Sequence, residues 1–201
     1  SYIDALVGRL MESLEKNHLD ENTLVVLMGD HGFQLGDQQI WGKHSIYHLS
    51  TRVPLVIYDP AQKTQTRSSS QFVELLDLYP TLAELCGLPS PKRVDGKSFA
   101  PLFDDPNAPG FEAAFNQYQT FQKDSTIANL MAYAIHTDGF TYIEWQDLEN
   151  ERKVVQRELY SIQDQPIEIQ NLAADPNHSE TIDILSGKIQ QYFSPYREAY
   201  Q

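Results

Sequence analysis

The chain has 201 residues, 41% of them hydrophobic and 21% charged, an ordinary globular composition with room for one large domain or a domain plus a small appendage. A formal net charge of −13 argues against a nucleic-acid backbone or an anionic membrane as the main partner, while leaving room for a local basic site that takes a small anion. No apolar run approaches the ~20 residues of a membrane span, and a single cysteine, Cys86, excludes an internal disulfide framework.

Ile3, Leu6, Val7, Leu10, Met11 and Leu14 recur at helical spacing, which predicts an amphipathic helix over 2–17 with Lys16 in its last turn. The pattern starts almost at the first residue, so the chain reads as a piece cut from a longer protein. Thr23–Met28 is a short, unbroken apolar run of the kind buried in a parallel sheet. Leu55–Tyr58, in "RVPLVIYDP", is a second such run. Helix, strand, long loop and strand suggest an α/β sheet covered by helices. "ELLDLYPTLAELCGLPSP" reads as a helix with Pro80 near its start and Gly87 as its stop. "KRVDGKSFAPLFDDPNAPG" is rich in Pro, Gly and Asp, holds at most a short helix around Ser98–Phe103, and marks a subdomain boundary. Beyond Gly110, "EAAFNQYQ", "NLMAYAIHT", "FTYIEW" and "KVVQRELYSI" predict an antiparallel sheet with a turn at Asp138–Gly139. The spacing of the last apolar residues predicts a closing helix over Ser179–Phe193. The expected division is therefore 1–108, a portion of an α/β domain, and 109–201, an antiparallel-sheet subdomain.

The segment "MGDHGFQLGDQQIWGKHS" follows the first apolar run and has neither helical nor strand period. In open α/β sheets, ligands bind where loops leave the carboxyl ends of strands. Asp30 and His31 stand there, bracketed by Gly29 and Gly32. A carboxylate and an imidazole on one turn suit a shared cation, but calcium takes 6–8 oxygen ligands and zinc about four ligands in all, so other ligands must come from elsewhere. Lys43 places an ammonium in the same loop, suited to an anionic oxygen beside a metal. His44 and His48 have the range of pKa for proton transfer. Each also has a plain reading: a capped turn for Asp-His-Gly, a solvated charge for Lys43, structural or exposed imidazoles for His44 and His48, and packing for Trp41.

Taken together, "LVVLMGDHGFQLGDQQIWGKHSIYHLSTRVPLVIY", "DLYPTLAELCGLPSPKRVDGKSFAPLF", "MAYAIHTDGFTYIEW" and "ELYSIQDQPIEIQNLAADP" resemble, in this order, the carboxyl-terminal part of the type I sulfatases of the alkaline phosphatase superfamily. The iduronate-2-sulfatase-like branch is the closest in flavour, and the resemblance covers nearly the whole chain. It implies the C-terminal half of an alkaline-phosphatase-like sheet, plus a small antiparallel sheet with a closing helix. It also implies that Asp30 and His31 supply two ligands of a divalent cation, usually calcium. Lys43, thirteen positions after Asp30, falls on the lysine that contacts the sulfate group. Many relatives carry Asn where this chain has His31, which leaves the metal's identity open.

The implied nucleophile is a formylglycine made from Cys or Ser in a C/S-x-P/A-S-R motif. This sequence has no such motif; Cys86, in "AELCGLP", reads as a buried core residue. The resemblance therefore places the nucleophile and the remaining ligands in an N-terminal portion of the same protein, preceding Ser1. This segment alone is then expected to be inactive. The implied substrate is a sulfated sugar or another small sulfate ester, with a periplasmic, secreted or lysosomal location. Arg52 reads as an ion-pair partner, Pro54 as a strand start, and Asp95–Gly96 as a turn. His136 stands where relatives often carry Arg, so it is a candidate substrate contact, with an exposed strand residue as the plain reading. Tyr142, Glu144 and Trp145 either line a cleft edge or pack a core. Two other functions remain open: a phosphate-ester hydrolase of the same superfamily, using two zinc ions and a Ser or Thr nucleophile, and a non-catalytic sugar-binding or assembly module.

Overall fold

The structure is a computed structural model that describes residues 1–62, 67–120, 129–163 and 168–198, the side chains of 196–198 excepted. It opens with helix α1 (Tyr2–Lys16), whose first turn is capped by the Ser1 hydroxyl accepting from the Asp4 N–H at 3.3 Å. Strand β1 (Val25–Met28) follows, then a minimal hairpin of β2 (Gln34–Leu35) and β3 (Trp41–Gly42), one turn of helix α2 (His48–Thr51), and strand β4 (Leu55–Tyr58). Helix α3 (Leu78–Leu85) begins after a 3-10 turn and stops at Cys86, with Gly87 at a φ of +66°. Helix α4 (Pro101–Asp104) is the short helix expected near Phe103.

The two apolar strands pair with each other, and the pairing is antiparallel, not parallel: Val26 lies opposite Ile57 and Leu27 opposite Val56. Alternation then decides burial. Val26 and Ile57, with Leu55, pack on a core of Leu78, Phe99, Leu102, Ala108 and Phe111. Leu27 and Val56 are exposed on the other face, while Met28, opposite Leu55 on the core side, is exposed at the strand end. An unbroken apolar run suits a strand covered on both faces; among the described residues only one face is covered.

Beyond Gly110 the expected antiparallel sheet is present. Strands β5 (Ala114–Gln119), β6 (Leu130–His136), β7 (Phe140–Asp147) and β8 (Lys153–Ser161) lie in chain order, each antiparallel to the next. The β6–β7 turn at Asp138–Gly139 is closed by the Thr137 N–H donating to the Phe140 carbonyl. Helix α5 (Ser179–Glu198) covers one face and runs a turn past the predicted end. Its Ile182, Leu185, Ile189 and Phe193 recur at helical spacing and meet Tyr133, Ile135, Tyr142 and Leu159. The opposite face, of Ala132, Ala134, Ile143 and Tyr160, is closed by Ile46 from the loop that leads to α2. Burying each large side chain here contributes about 1.5–3 kcal/mol.

Several expectations change. Cys86 is exposed, because it caps the end of α3 and lies outside the helix face that packs on the core. Trp41 is also exposed, on a two-residue strand that no layer of the described residues covers. Asp95–Gly96 is no turn: a Cβ on Gly96 would stand 2.0 Å from the Leu76 carbonyl oxygen, so the glycine serves close backbone approach. Tyr142 and Glu144 are wholly buried under α5, which settles the core reading for them over the cleft edge. Glu144 there accepts from the Tyr142 and Ser186 hydroxyls at 3.0 and 2.6 Å.

Candidate functional site

The loop between β1 and β4 is held by backbone and side chain together. The Gly29 N–H donates to the Pro54 carbonyl, and the Gly32 N–H to the Ser50 carbonyl at 2.8 Å. A Cβ on Gly32 would stand 1.9 Å from the Leu49 carbonyl oxygen, so this approach requires glycine. Beneath it, buried Gln34 donates to Ser45, and Ser45 to Ser50. Tyr47 fixes the far end of the loop to the sheet by donating to Glu158 at 3.0 Å. Glu158 also accepts from Tyr160, Trp145 and Gln156.

On this frame Asp30, His31 and Lys43 lie together. Asp30 Oδ1 accepts from the His31 N–H at 3.0 Å, and Oδ2 lies 3.6 Å from His31 Nε2. The Gly32 carbonyl, 2.8 Å from His31 Nδ1, can only accept, so Nδ1 carries the proton. The Nε2 lone pair is left facing Asp30, and the Lys43 ammonium donates to it at 3.0 Å. Two donors about 2.4 Å from one cation and at right angles stand about 3.4 Å apart; the 3.6 Å of Asp30 and His31 fits such a pair. An imidazole whose other N–H is fixed on a backbone carbonyl is also the usual orientation of a metal-binding histidine.

His44 is exposed. His48 and His136 form a second group. Their rings meet edge to face with centroids 5.8 Å apart, and Glu168 stands beside them. His136 is buried, not an exposed strand residue, because it shares the parity of Ala132 and Ala134 and so faces the loop side of the sheet. Its Nε2 lies 2.8 Å from Asn116 Oδ1 and its Nδ1 3.1 Å from the Thr141 hydroxyl. Burial first, and His48 second, push its pKa down to about 3. Burial also lowers that of His48, helped by the nearby Arg52 guanidinium, whose nitrogen lies 3.4 Å from His48 Nε2. Among the described residues, Arg52 thus meets an imidazole where a carboxylate was expected. Burial raises the pKa of Glu168, against the opposing pull of the His48 N–H that donates to Oε1 at 2.9 Å.

An open cleft of about 1570 Å³ brings the two groups onto one surface, with Asp30, His48, Arg52, Asn116, His136 and Thr141 in its wall. Glu168, Asn116 and Thr141 escaped the sequence reading. Thr141 is the strand partner of His136 and Asn116 that of Ala134, two residues before it, relations visible only through register. Glu168 arrives from a connection with no periodic signal.

Residues 36–194 match the family described as N-sulphoglucosamine sulphohydrolase, C-terminal, a stretch that includes Lys43 and begins just after Asp30 and His31. Human iduronate 2-sulfatase is 27% identical over 244 residues, covering 92% of this chain and 44% of that protein. A phosphonate monoester hydrolase from Silicibacter pomeroyi superposes with a TM-score of 0.79 at 25% identity, covering 96% of this chain and 39% of its own. A structure described as in complex with its substrate D-glucosamine-2-N,6-O-disulfate gives a TM-score of 0.75 at 23% identity, covering 98% and 39%. The chain thus spans less than half the length of these relatives. Its fold is the α/β fold expected from the sequence, shared with solved structures described as sulfatases.

Proposed function

Because this chain belongs to the N-sulphoglucosamine sulphohydrolase C-terminal family of sulfatases, we propose that it forms part of a sulfatase active site, with Asp30, His31 and Lys43 as its contribution. The observation that carries this reading is the meeting of the three side chains on one loop: Asp30 Oδ2 and Lys43 Nζ lie 3.6 and 3.0 Å from the same imidazole nitrogen. The substrate class is a sulfate ester of a sugar by the resemblance; the family description, which names a sugar with its sulfate on nitrogen, supports the sulfated sugar.

Asp30 and His31 would hold part of a divalent cation's shell, calcium by the resemblance, and the cation would supply positive charge against sulfate oxygens. Lys43 is the sulfate contact. Its ammonium, on the exposed side of the loop, stabilises negative charge that grows on the sulfate as the ester bond breaks. Gly32 keeps His31 in the tautomer that leaves Nε2 bare; Lys43 donates to Nε2 in this structure, and with that lone pair given to a cation the ammonium is released to the sulfate. His48 and His136 border the cleft where the sugar would lie, with His44 the weakest of the substrate-contact candidates. The nucleophile, a formylglycine by the resemblance, and the remaining ligands belong to an N-terminal portion of the same protein. Exposed Ile3 and Leu10 on α1, and Leu27 and Val56 on the open face of the strand pair, support that portion as the partner. The division at residue 108 and a periplasmic, secreted or lysosomal location are parts of the same proposal. No helix among the described residues is long and apolar enough to cross a membrane.

In the protein that contains the preceding portion, Lys43→Ala should slow hydrolysis of a sulfate ester by about 10²–10³-fold. A near-normal rate would remove Lys43 from the site. A second reading, an ester hydrolase of phosphorus acids, is favoured by the likeness to the phosphonate monoester hydrolase. Comparing kcat/KM on a sulfate and a phosphonate ester of the same alcohol separates the two.

A further inference from the structure

We propose that His48, His136 and Glu168 form a second cation site, for a zinc-class divalent ion, distinct from the Asp30–His31 pair. Each offers a ligand atom, and these atoms lie within 4.8 Å of one another. Glu168 is 2% exposed, and its Oε2 has no hydrogen-bond partner among the described residues, although Oε1 takes the His48 N–H. A buried carboxylate oxygen left bare is costly, and a cation beside it removes the cost. The flanking groups are imidazoles, and one carboxylate with two imidazoles is a nitrogen-rich set that suits zinc better than calcium.

The surroundings are arranged as a metal site's are. The Asn116 Oδ1 accepts from His136 Nε2–H, which leaves the lone pair on Nδ1, facing the Thr141 hydroxyl at 3.1 Å. A carbonyl oxygen on the far nitrogen is the common way to orient a ligating histidine. Arg52 opposes a cation here, but it is exposed and has solvent to turn into. Zinc donors stand about 3.4 Å apart, so binding draws the three side chains inward. Three protein ligands leave a fourth position, on the side where His48 and His136 line the cleft, for water or an oxygen of a bound ester. The site joins strands β5–β7, the α2 turn and the segment at Glu168, and so ties the loop that carries Lys43 to the sheet. It does not depend on the sulfatase reading of the loop.

The test uses protein carrying Asp30→Asn, dialysed against chelator and titrated with zinc chloride by calorimetry, with thermal melts in parallel. One zinc per chain should bind and raise the melting temperature. Glu168→Gln in that background should weaken binding by more than about 100-fold, since losing even an outer-shell partner costs 10–100-fold. His48→Ala, which keeps the backbone bond to Glu168, serves if Glu168→Gln fails to fold, and should weaken zinc at least about 10-fold. Absence of zinc binding in the Asp30→Asn protein, or an affinity unchanged by both further substitutions, would overturn the site.

Discussion

The four-stranded sheet with α5 and the amino-terminal unit of α1, β1 and β4 solve the same problem differently. In the sheet, Ala132, Ala134, Ile135, Ile143 and Leu159 are fully buried, one face under α5 and the other under Ile46. In the amino-terminal unit the sequence is just as apolar, yet α1 has no buried residue and the strand pair covers one face only. The difference lies in partners. The sheet finds cover on both faces, from α5 and from Ile46 of the loop, whereas among the described residues the strand pair finds cover on one face only. The candidate site sits at the junction, its loop rooted in the open strand pair and pinned to the closed sheet through Tyr47 and Ile46.

The comparison can be broken by substitution. Ile143→Ala empties a fully buried position and should cost about 2–5 kcal/mol in denaturant unfolding; a loss under 1 kcal/mol would mean the sheet is not closed. Leu10→Ala, on the open side of α1, should cost no more than about 0.5 kcal/mol in this chain alone. It should cost about 2 kcal/mol or more where the preceding portion is present. Equal small costs in both would deny that α1 is covered.

A smaller, pH-dependent effect probes the seam. Glu74 bridges the two regions, accepting from the Phe115 N–H and the Tyr192 hydroxyl, and burial raises its carboxyl above the ordinary 4.5. The folded protein therefore holds a proton that the unfolded chain releases. Its contribution is fully present below pH 4.5 and is lost as pH rises through the raised value. Glu74→Gln should flatten that part of the stability–pH curve, and a curve of unchanged slope would place the carboxyl in water.

Much of this was legible in the sequence. Alternation and the Asp138–Gly139 turn gave the sheet, helical spacing gave α1 and α5, and the place of Asp30 and His31 after an apolar strand marked the loop. What escaped was what register and chain path decide. His136 looked exposed until its parity with Ala132 and Ala134 put it on the loop side, and Glu168 has no pattern around it. Cys86 sat in an apolar string, but a helix cap does not share its helix's buried face. The strand pair looked parallel because apolar texture reports cover on two faces, not strand direction.

The central claim is that this chain supplies one side of a divided sulfate-ester site. The direct measurement is sulfate release from a sulfated sugar by this chain alone and by the protein that includes the preceding portion, each with calcium present. The account predicts release only by the longer protein, and its loss there on Lys43→Ala. Turnover by this chain alone, or turnover in the longer protein that ignores Lys43, would contradict it.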